Sequence, residues 1–132
     1  SSFGELAHSD GDVVYHAIAE SILGALALGD LGKHFPDTSD ETLNMDSSII
    51  VKRVVMMMEE KGYAVCNIDV SITLEKPKLK NYIDEMRNNV AKLLKVDLDK
   101  VSIKVGTNEQ LDALGRGEAV KVESIVLLVE AK

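Results

Sequence analysis

Between residues 9 and 29 apolar side chains return near every third or fourth position, through Val14, Ile18, Ile22, Ala25 and Leu26. That period predicts an amphipathic helix, with Ser9, Asp10 and Asp12 as cap and first-turn carboxylates and Gly29 as the stop. Small residues around its face, Ala17, Ala19, Gly24 and Ala27, predict close packing against another element. A second helix is predicted from Asp46 or Ser47 to Lys61, lined by Ile50, Val54, Met57 and Met58 and stopped by Gly62. The run Met56, Met57, Met58 reads as core filling, with an adaptable binding surface as the alternative. After Gly62 the period changes to two. Cys66, Ile68, Val70, Ile72 and Leu74 share one face, while Asn67, Asp69, Ser71 and Thr73 share the other, which predicts a half-buried strand. Helical spacing returns over residues 82–94 through Ile83, Met86, Val90, Leu93 and Leu94. A turn at residues 97–99 then leads into a strand with Val101, Ile103 and Val105. The last strand, residues 119–130, carries aliphatics on both faces from Ile125 to Val129, which predicts a central position or a subunit contact. Two long polar and glycine-containing loops, residues 31–45 and 107–118, remain, and loops of that length in a compact domain tend to be functional.

Composition narrows the function classes. A chain of 132 residues, 45% hydrophobic and 28% charged, has the size of one domain, residues 1–132, with a single core. Fifteen basic against 22 acidic side chains leave a net charge of −7, and no basic run has interleaved aromatics. A nucleic-acid backbone footprint is therefore not expected. His16 and Glu20 interrupt the longest run free of Lys, Arg and Asp, so no membrane span is expected, nothing at the start reads as a signal peptide, and the chain is expected to be soluble. Cys66 is the single cysteine, which rules out an internal disulfide and suggests a reducing compartment.

Four clusters can carry chemistry. The segment His8-Ser9-Asp10-Gly11-Asp12-Val13-Val14-Tyr15-His16 loads two imidazoles and two carboxylates onto a helix start, with Asp12 and His16 four apart on one face. It fits a metal ligand beside an anion-holding N-terminus, and it also fits a capped helix whose acids answer the macrodipole. In Leu28-Gly29-Asp30-Leu31-Gly32-Lys33-His34-Phe35-Pro36-Asp37-Thr38, the carboxylates Asp30 and Asp37 can accept bonds from a polyol, or the stretch is a plain loop after a helix stop. Glu109, in Val105-Gly106-Thr107-Asn108-Glu109, is a hard oxygen donor suited to a magnesium ion bridging phosphates, although most exposed glutamates bind nothing. The basic turn Glu75-Lys76-Pro77-Lys78-Leu79-Lys80 can neutralise phosphates or be a solvated face.

Read in order, Ala7-His8-Ser9-Asp10-Gly11-Asp12 with His16, Ala27-Leu28-Gly29-Asp30-Leu31-Gly32-Lys33 and Phe35-Pro36-Asp37-Thr38 closely resemble the 2-C-methyl-D-erythritol 2,4-cyclodiphosphate synthase family. Lys61-Gly62-Tyr63, Asn67-Ile68-Asp69-Val70, Pro77-Lys78, Thr107 with Glu109, and Gly115-Arg116-Gly117-Glu118 extend the resemblance over essentially the whole chain. The resemblance implies an α+β fold, an α/β sandwich with a mixed four-stranded sheet packed on helices, assembled as a homotrimer with active sites between subunits. It implies the cyclisation of 4-diphosphocytidyl-2-C-methyl-D-erythritol 2-phosphate, a step of non-mevalonate isoprenoid biosynthesis, with release of CMP. The substrate's own 2-phosphate attacks the β-phosphate, so positioning and charge neutralisation supply the acceleration.

By the same resemblance His16 is a zinc ligand, and Glu109 holds a second divalent metal, magnesium or manganese. His8 and Ser9 contact phosphates, and Thr107 does so beside Glu109. Asp30, Gly32 and Asp37 hold the methylerythritol hydroxyls, and the turn from Leu74 to Leu79 forms the cytosine pocket, with Pro77 shaping it and Lys78 approaching the CMP phosphate. Arg116, with Glu118, lines an axial cavity of the trimer. His8, Thr107 and Glu109 are the expected catalytic set. Nothing in this picture calls for nucleic acid or membrane. The expected location is the bacterial cytoplasm or a plastid-type stroma.

The family opens with a glycine-rich strand whose Asp-x-His pair supplies the other two zinc ligands. No Asp-x-His occurs in this sequence, so the domain is expected to lack that N-terminal strand. Gly106 stands where the family commonly has threonine, and Ala113 replaces a bulkier residue near the axial cavity. Two other readings remain: a non-catalytic trimeric ligand-binding module and a metal-dependent phosphohydrolase, in which His8, Asp10 and His16 hold a metal that activates water.

Overall fold

The computed structural model describes residues 3–36, 46–74, 82–106 and 120–131, with the side chains of residues 3–10 outside that description. Helix α1 runs Phe3–Ala25, α2 Leu31–His34, α3 Ser47–Glu60 and α4 Ile83–Leu94. Strand β1 is Tyr63–Thr73, β2 is Val101–Gly106 after a 3₁₀ turn at Leu98–Lys100, and β3 is Lys121–Glu130. Among the described residues no helix is long and apolar enough to cross a membrane.

The strands form one sheet in the order β2–β1–β3. Strand β1 pairs parallel with β2, from Ile68 opposite Val101 to Thr73 opposite Gly106. It pairs antiparallel with β3, from Tyr63 opposite Glu130 to Thr73 opposite Lys121. The parallel pair needs a crossover, and α4 provides it. The sheet is mixed and packed on helices as expected, but the described residues contribute three strands rather than four. Among the described residues strand β3 is an edge of this sheet rather than the central strand that was one of its two expected positions.

One layer of helices covers one sheet face, with α1 over β3, α3 over β1 and α4 over β2. Val14, Ile18, Ala19, Ile22 and Leu23 of α1 are buried there. Val51, Val54 and Met58 of α3, Val90 and Leu94 of α4, and Ile68, Val70 and Ile72 of β1 join them. This one-sided cover explains the period-two pattern of β1. The pattern breaks at Cys66, where a bulge between Val65 and Asn67 shifts the β3 register and puts Val65 in the core instead of Cys66, which is only half-buried. The methionines divide: Met58 is buried, Met57 partly buried and Met56 exposed.

Helix α1 ends four residues before the expected glycine stop. Ala27 N–H donates to Gly24 O at 3.0 Å and Leu28 N–H to Leu23 O at 2.9 Å, with Ala27 left-handed at φ 58°. These bonds close a Schellman turn, which returns the Leu28 side chain to the core. Of the small residues expected to pack closely, Ala19 is buried, whereas a Cβ on Gly24 would meet nothing within 4 Å. Ala27→Gly should relieve the left-handed strain and Gly24→Ala should stiffen the helix, each stabilising by about 0.5–1 kcal/mol in denaturant titrations. Destabilisation by either change would contradict this helix end.

On the other sheet face Lys104 Nζ lies 3.0 Å from Asp69 Oδ2. This bond holds the Asp69 carboxyl below its ordinary pKa, against a smaller desolvation effect. A lowered acid stabilises the fold above its unfolded pKa, and that stabilisation disappears as pH falls through the folded value. With the two side chains 61% and 39% exposed, solvent screening keeps the contribution below about 1 kcal/mol. Asp69→Asn should show that cost in urea titrations at pH 7 and none once the carboxyl is protonated in both states.

Candidate active site

The sequence expectation placed Ser9 at the start of α1, but the helix begins at Phe3 and Ser9 lies within it. Residues 5–7, Glu-Leu-Ala, contain no breaker and are good helix formers, so the capping signal at Ser9 and Asp10 is overridden. The anion-holding helix N-terminus expected at Ser9 is therefore not formed there. His8 and Ser9 lie in the backbone of α1 with side chains outside the described set. Asp37, Pro77, Lys78, Thr107, Glu109 and Arg116 lie outside the described residues altogether.

His16 is exposed near the middle of α1, and its Nε2 lies 3.1 Å from Ser47 Oγ. Ser47 opens α3 and is 5% exposed, the one buried polar residue among those described. Asp46 caps the same helix by accepting from Ser48 N–H at 2.8 Å, which fixes the backbone that carries Ser47. By sequence Asp46 and Ser47 are only cap residues, and the contact to His16 is not visible there because Ser47 and His16 are 31 apart in the chain.

Asp12, His16 and Glu20 form an i, i+4 row on α1. Glu20 Oε2 accepts from Leu31 N–H at 3.2 Å, and His34 Nε2 pairs with Leu28 O at 2.8 Å. The first ties α2 back to α1, one helical turn (about 6 Å along the axis) beyond His16, and the second ties it to the turn that follows α1. Asp30 is the N-cap of α2, its Oδ1 accepting from Lys33 N–H at 3.1 Å. Gly32 lies within this turn, and a Cβ there would sit 3.6 Å from Asp30 Oδ1. The stretch expected as an open loop from residue 31 thus begins as a short, tethered helix. The structure brings His16 and the Asp30–Gly32 turn to one side of α1. Glu20, which sequence reading passed over, is the connector, and its signal was the i+4 spacing from His16.

Beside this row a groove of about 860 Å³ opens between α1, α3 and α4, with Asp12, Tyr15, Asp46, Lys52 and Tyr82 in its wall. Burial raises the Tyr15 pKa, against a hydrogen bond with Asn89 that lowers it, and nearby Asp46, Asp12 and Glu85 add to the rise. Tyr15 is therefore a neutral phenol at physiological pH. No three His, Cys, Asp or Glu side chains converge among the described residues, so His16 is the metal-ligand candidate that can be placed.

Fold and site together describe a mixed sheet under one helical layer, with an imidazole and a carboxylate turn aligned along its first helix. The YgbB family model matches residues 1–129, and the chain belongs to this family, that of the 2-C-methyl-D-erythritol 2,4-cyclodiphosphate synthases. The synthase of that name from Brachyspira hyodysenteriae is 52% identical over 125 residues, covering 95% of this chain and 79% of the relative. The one from Actinobacillus succinogenes is 48% identical over 128 residues, covering 97% and 81%. Among solved structures, IspF from Plasmodium falciparum in a CDP complex superposes with a TM-score of 0.80 at 28% identity, covering 91% of this chain and 72% of that one. The bifunctional IspDF from Campylobacter jejuni gives a TM-score of 0.85 at 35% identity, covering 89% of this chain and 32% of that longer one.

Proposed function

We propose that this chain converts 4-diphosphocytidyl-2-C-methyl-D-erythritol 2-phosphate to 2-C-methyl-D-erythritol 2,4-cyclodiphosphate and CMP. The family match over residues 1–129 carries the reading. In the reaction an oxygen of the 2-phosphate bonds to the β-phosphorus, and the bond from that phosphorus to the bridging oxygen breaks, so CMP leaves with that oxygen. The substrate supplies its own nucleophile, and the protein positions the two phosphates and neutralises their charge.

His16 fits a zinc ligand: one ring nitrogen meets Ser47, and Nδ1 has no hydrogen-bond partner among the described residues. When bound, zinc and a second metal, magnesium or manganese, supply charge neutralisation and orientation at the diphosphate. Glu109 holds the second metal, and His8, Ser9 and Thr107 contact phosphate oxygens. Asp30, Gly32 and Asp37 receive the methylerythritol hydroxyls; Oδ1 of Asp30 is committed to the α2 cap, which leaves Oδ2 for a hydroxyl. Pro77 and Lys78 receive the cytidine phosphate end, and the CDP bound in the Plasmodium falciparum relative supports a nucleotide ligand of this type.

Three copies form the working unit, with the active sites between them and Arg116 facing the axial cavity. An apolar stripe on the uncovered face of β3, formed by Ile125, Leu127 and Val129, supports this assembly. The cited curated relatives are bacterial, which favours bacterial cytoplasm over a plastid-type stroma.

Incubating the full-length protein with substrate, zinc and magnesium should give CMP and the cyclic diphosphate in equal amounts by ³¹P NMR. An open-chain phosphate product would favour the hydrolase reading. Nucleotide binding without turnover would favour the ligand-binding module.

A further inference from the structure

Ser47 has no evident structural reason to be a serine. It is the residue after the N-cap, and Asp46 performs the capping with its own side chain. A buried hydroxyl at the first helical position costs stability unless it is bonded, and alanine would suit the helix better. The bond this hydroxyl makes is to His16 Nε2, at 3.1 Å. The serine is rigid where the imidazole is exposed: it is 5% exposed itself, and the Asp46 cap fixes its backbone. A hydrogen-bond partner fixed on one ring nitrogen sets the orientation of an imidazole, and where that partner accepts, the nitrogen it meets keeps its proton.

We propose that Ser47 is the positioning residue of His16: its Oγ accepts Nε2–H, which holds the ring against α3 and leaves the Nδ1 lone pair as the metal-binding atom. The proposal rests on the reading of His16 as a zinc ligand and adds the residue that orients it and the nitrogen it uses. Ser47 acts through His16.

The test uses the full-length protein, with zinc affinity measured by competition against a chromophoric chelator. Ser47→Ala should weaken zinc binding by about 10- to 100-fold, and Ser47→Thr, which keeps the hydroxyl, should recover most of it. In ¹⁵N-labelled, zinc-loaded protein, long-range ¹H–¹⁵N correlations should show His16 protonated at Nε2 and metal-shifted at Nδ1. Ser47→Ala should lose this single pattern, which a purely packing role for Ser47 would leave unchanged.

Zinc shifting Nε2 instead, or Ser47→Ala binding zinc like the wild type while His16→Ala loses it, would overturn the role of Ser47 and leave His16 as a ligand. A loss in Ser47→Ala that Ser47→Thr does not recover, accompanied by a parallel fall in Tm, would overturn it in favour of packing. Full zinc binding by His16→Ala would remove the underlying reading and this proposal with it.

Discussion

His16→Ala should lower kcat/KM by about 10³-fold or more, the scale on which removing one preorganised electrostatic partner of a transition state acts. That loss corresponds to about 4 kcal/mol of transition-state stabilisation. The fold should barely register the change. His16 is exposed and contributes to no buried apolar cluster, and its described bond is the one to Ser47. Removing it leaves the Ser47 hydroxyl without that partner, which costs about 1–3 kcal/mol if the hydroxyl stays dry and less if water replaces the ring. The exposed position of the ring favours the wet case. Steady-state CMP release, urea unfolding and zinc content measured on the same preparation separate the two effects. A variant that keeps both turnover and zinc would end the assignment of His16. One that loses activity only in proportion to its folded fraction would make His16 a structural residue.

The legible parts of the fold are those where burial is one-sided. Ile68, Val70 and Ile72 alternate with polar residues because helices cover one face of β1, and Met86, Val90 and Leu94 recur helically because α4 lies on β2. The sequence does not announce the bulge at Cys66: no glycine marks it, and only the β3 register shows that Val65 and not Cys66 faces inward. Gly29 looked like the helix stop because glycine tolerates φ > 0. Gly29 does take φ 91°, but Ala27 already takes the left-handed conformation two residues earlier, since ending there lets Leu28 reach the core. In the site, residue types were legible and partnerships were not. His16 and Asp30 stood out from their motifs, but Ser47 and Glu20 act through contacts set by the packing of α3 and the fold-back of α2. The i+4 spacing from His16 was the one local sign of Glu20, and nothing local marks Ser47 as a partner of His16. Both residues also have common roles as a helix-start serine and a surface glutamate, which hid them.

The aliphatics on both faces of β3 were ambiguous for a related reason. Val122, Val126 and Leu128 face the helical layer and are partly buried, so they account for one face. Ile125, Leu127 and Val129 face away from it and are 72%, 59% and 49% exposed. In register they stand beside Asp69, Asn67 and Ala64 of β1, a mostly polar neighbourhood that leaves them uncovered among the described residues. An edge strand with such a stripe invites pairing or aggregation unless another surface covers it. If copies of this chain cover it, Leu127→Glu should place a charge in the contact with no partner, at a cost of several kcal/mol per copy. Sedimentation at micromolar concentration should then show monomer where the unaltered protein should run as the proposed trimer, with the far-UV circular dichroism unchanged because the substituted side chain lies outside the core. CMP release should fall with the trimer, since the proposed site draws residues from two subunits. A Leu127→Glu protein that remains trimeric would move the interface to another surface. A monomer with full turnover would show that each subunit carries a complete site.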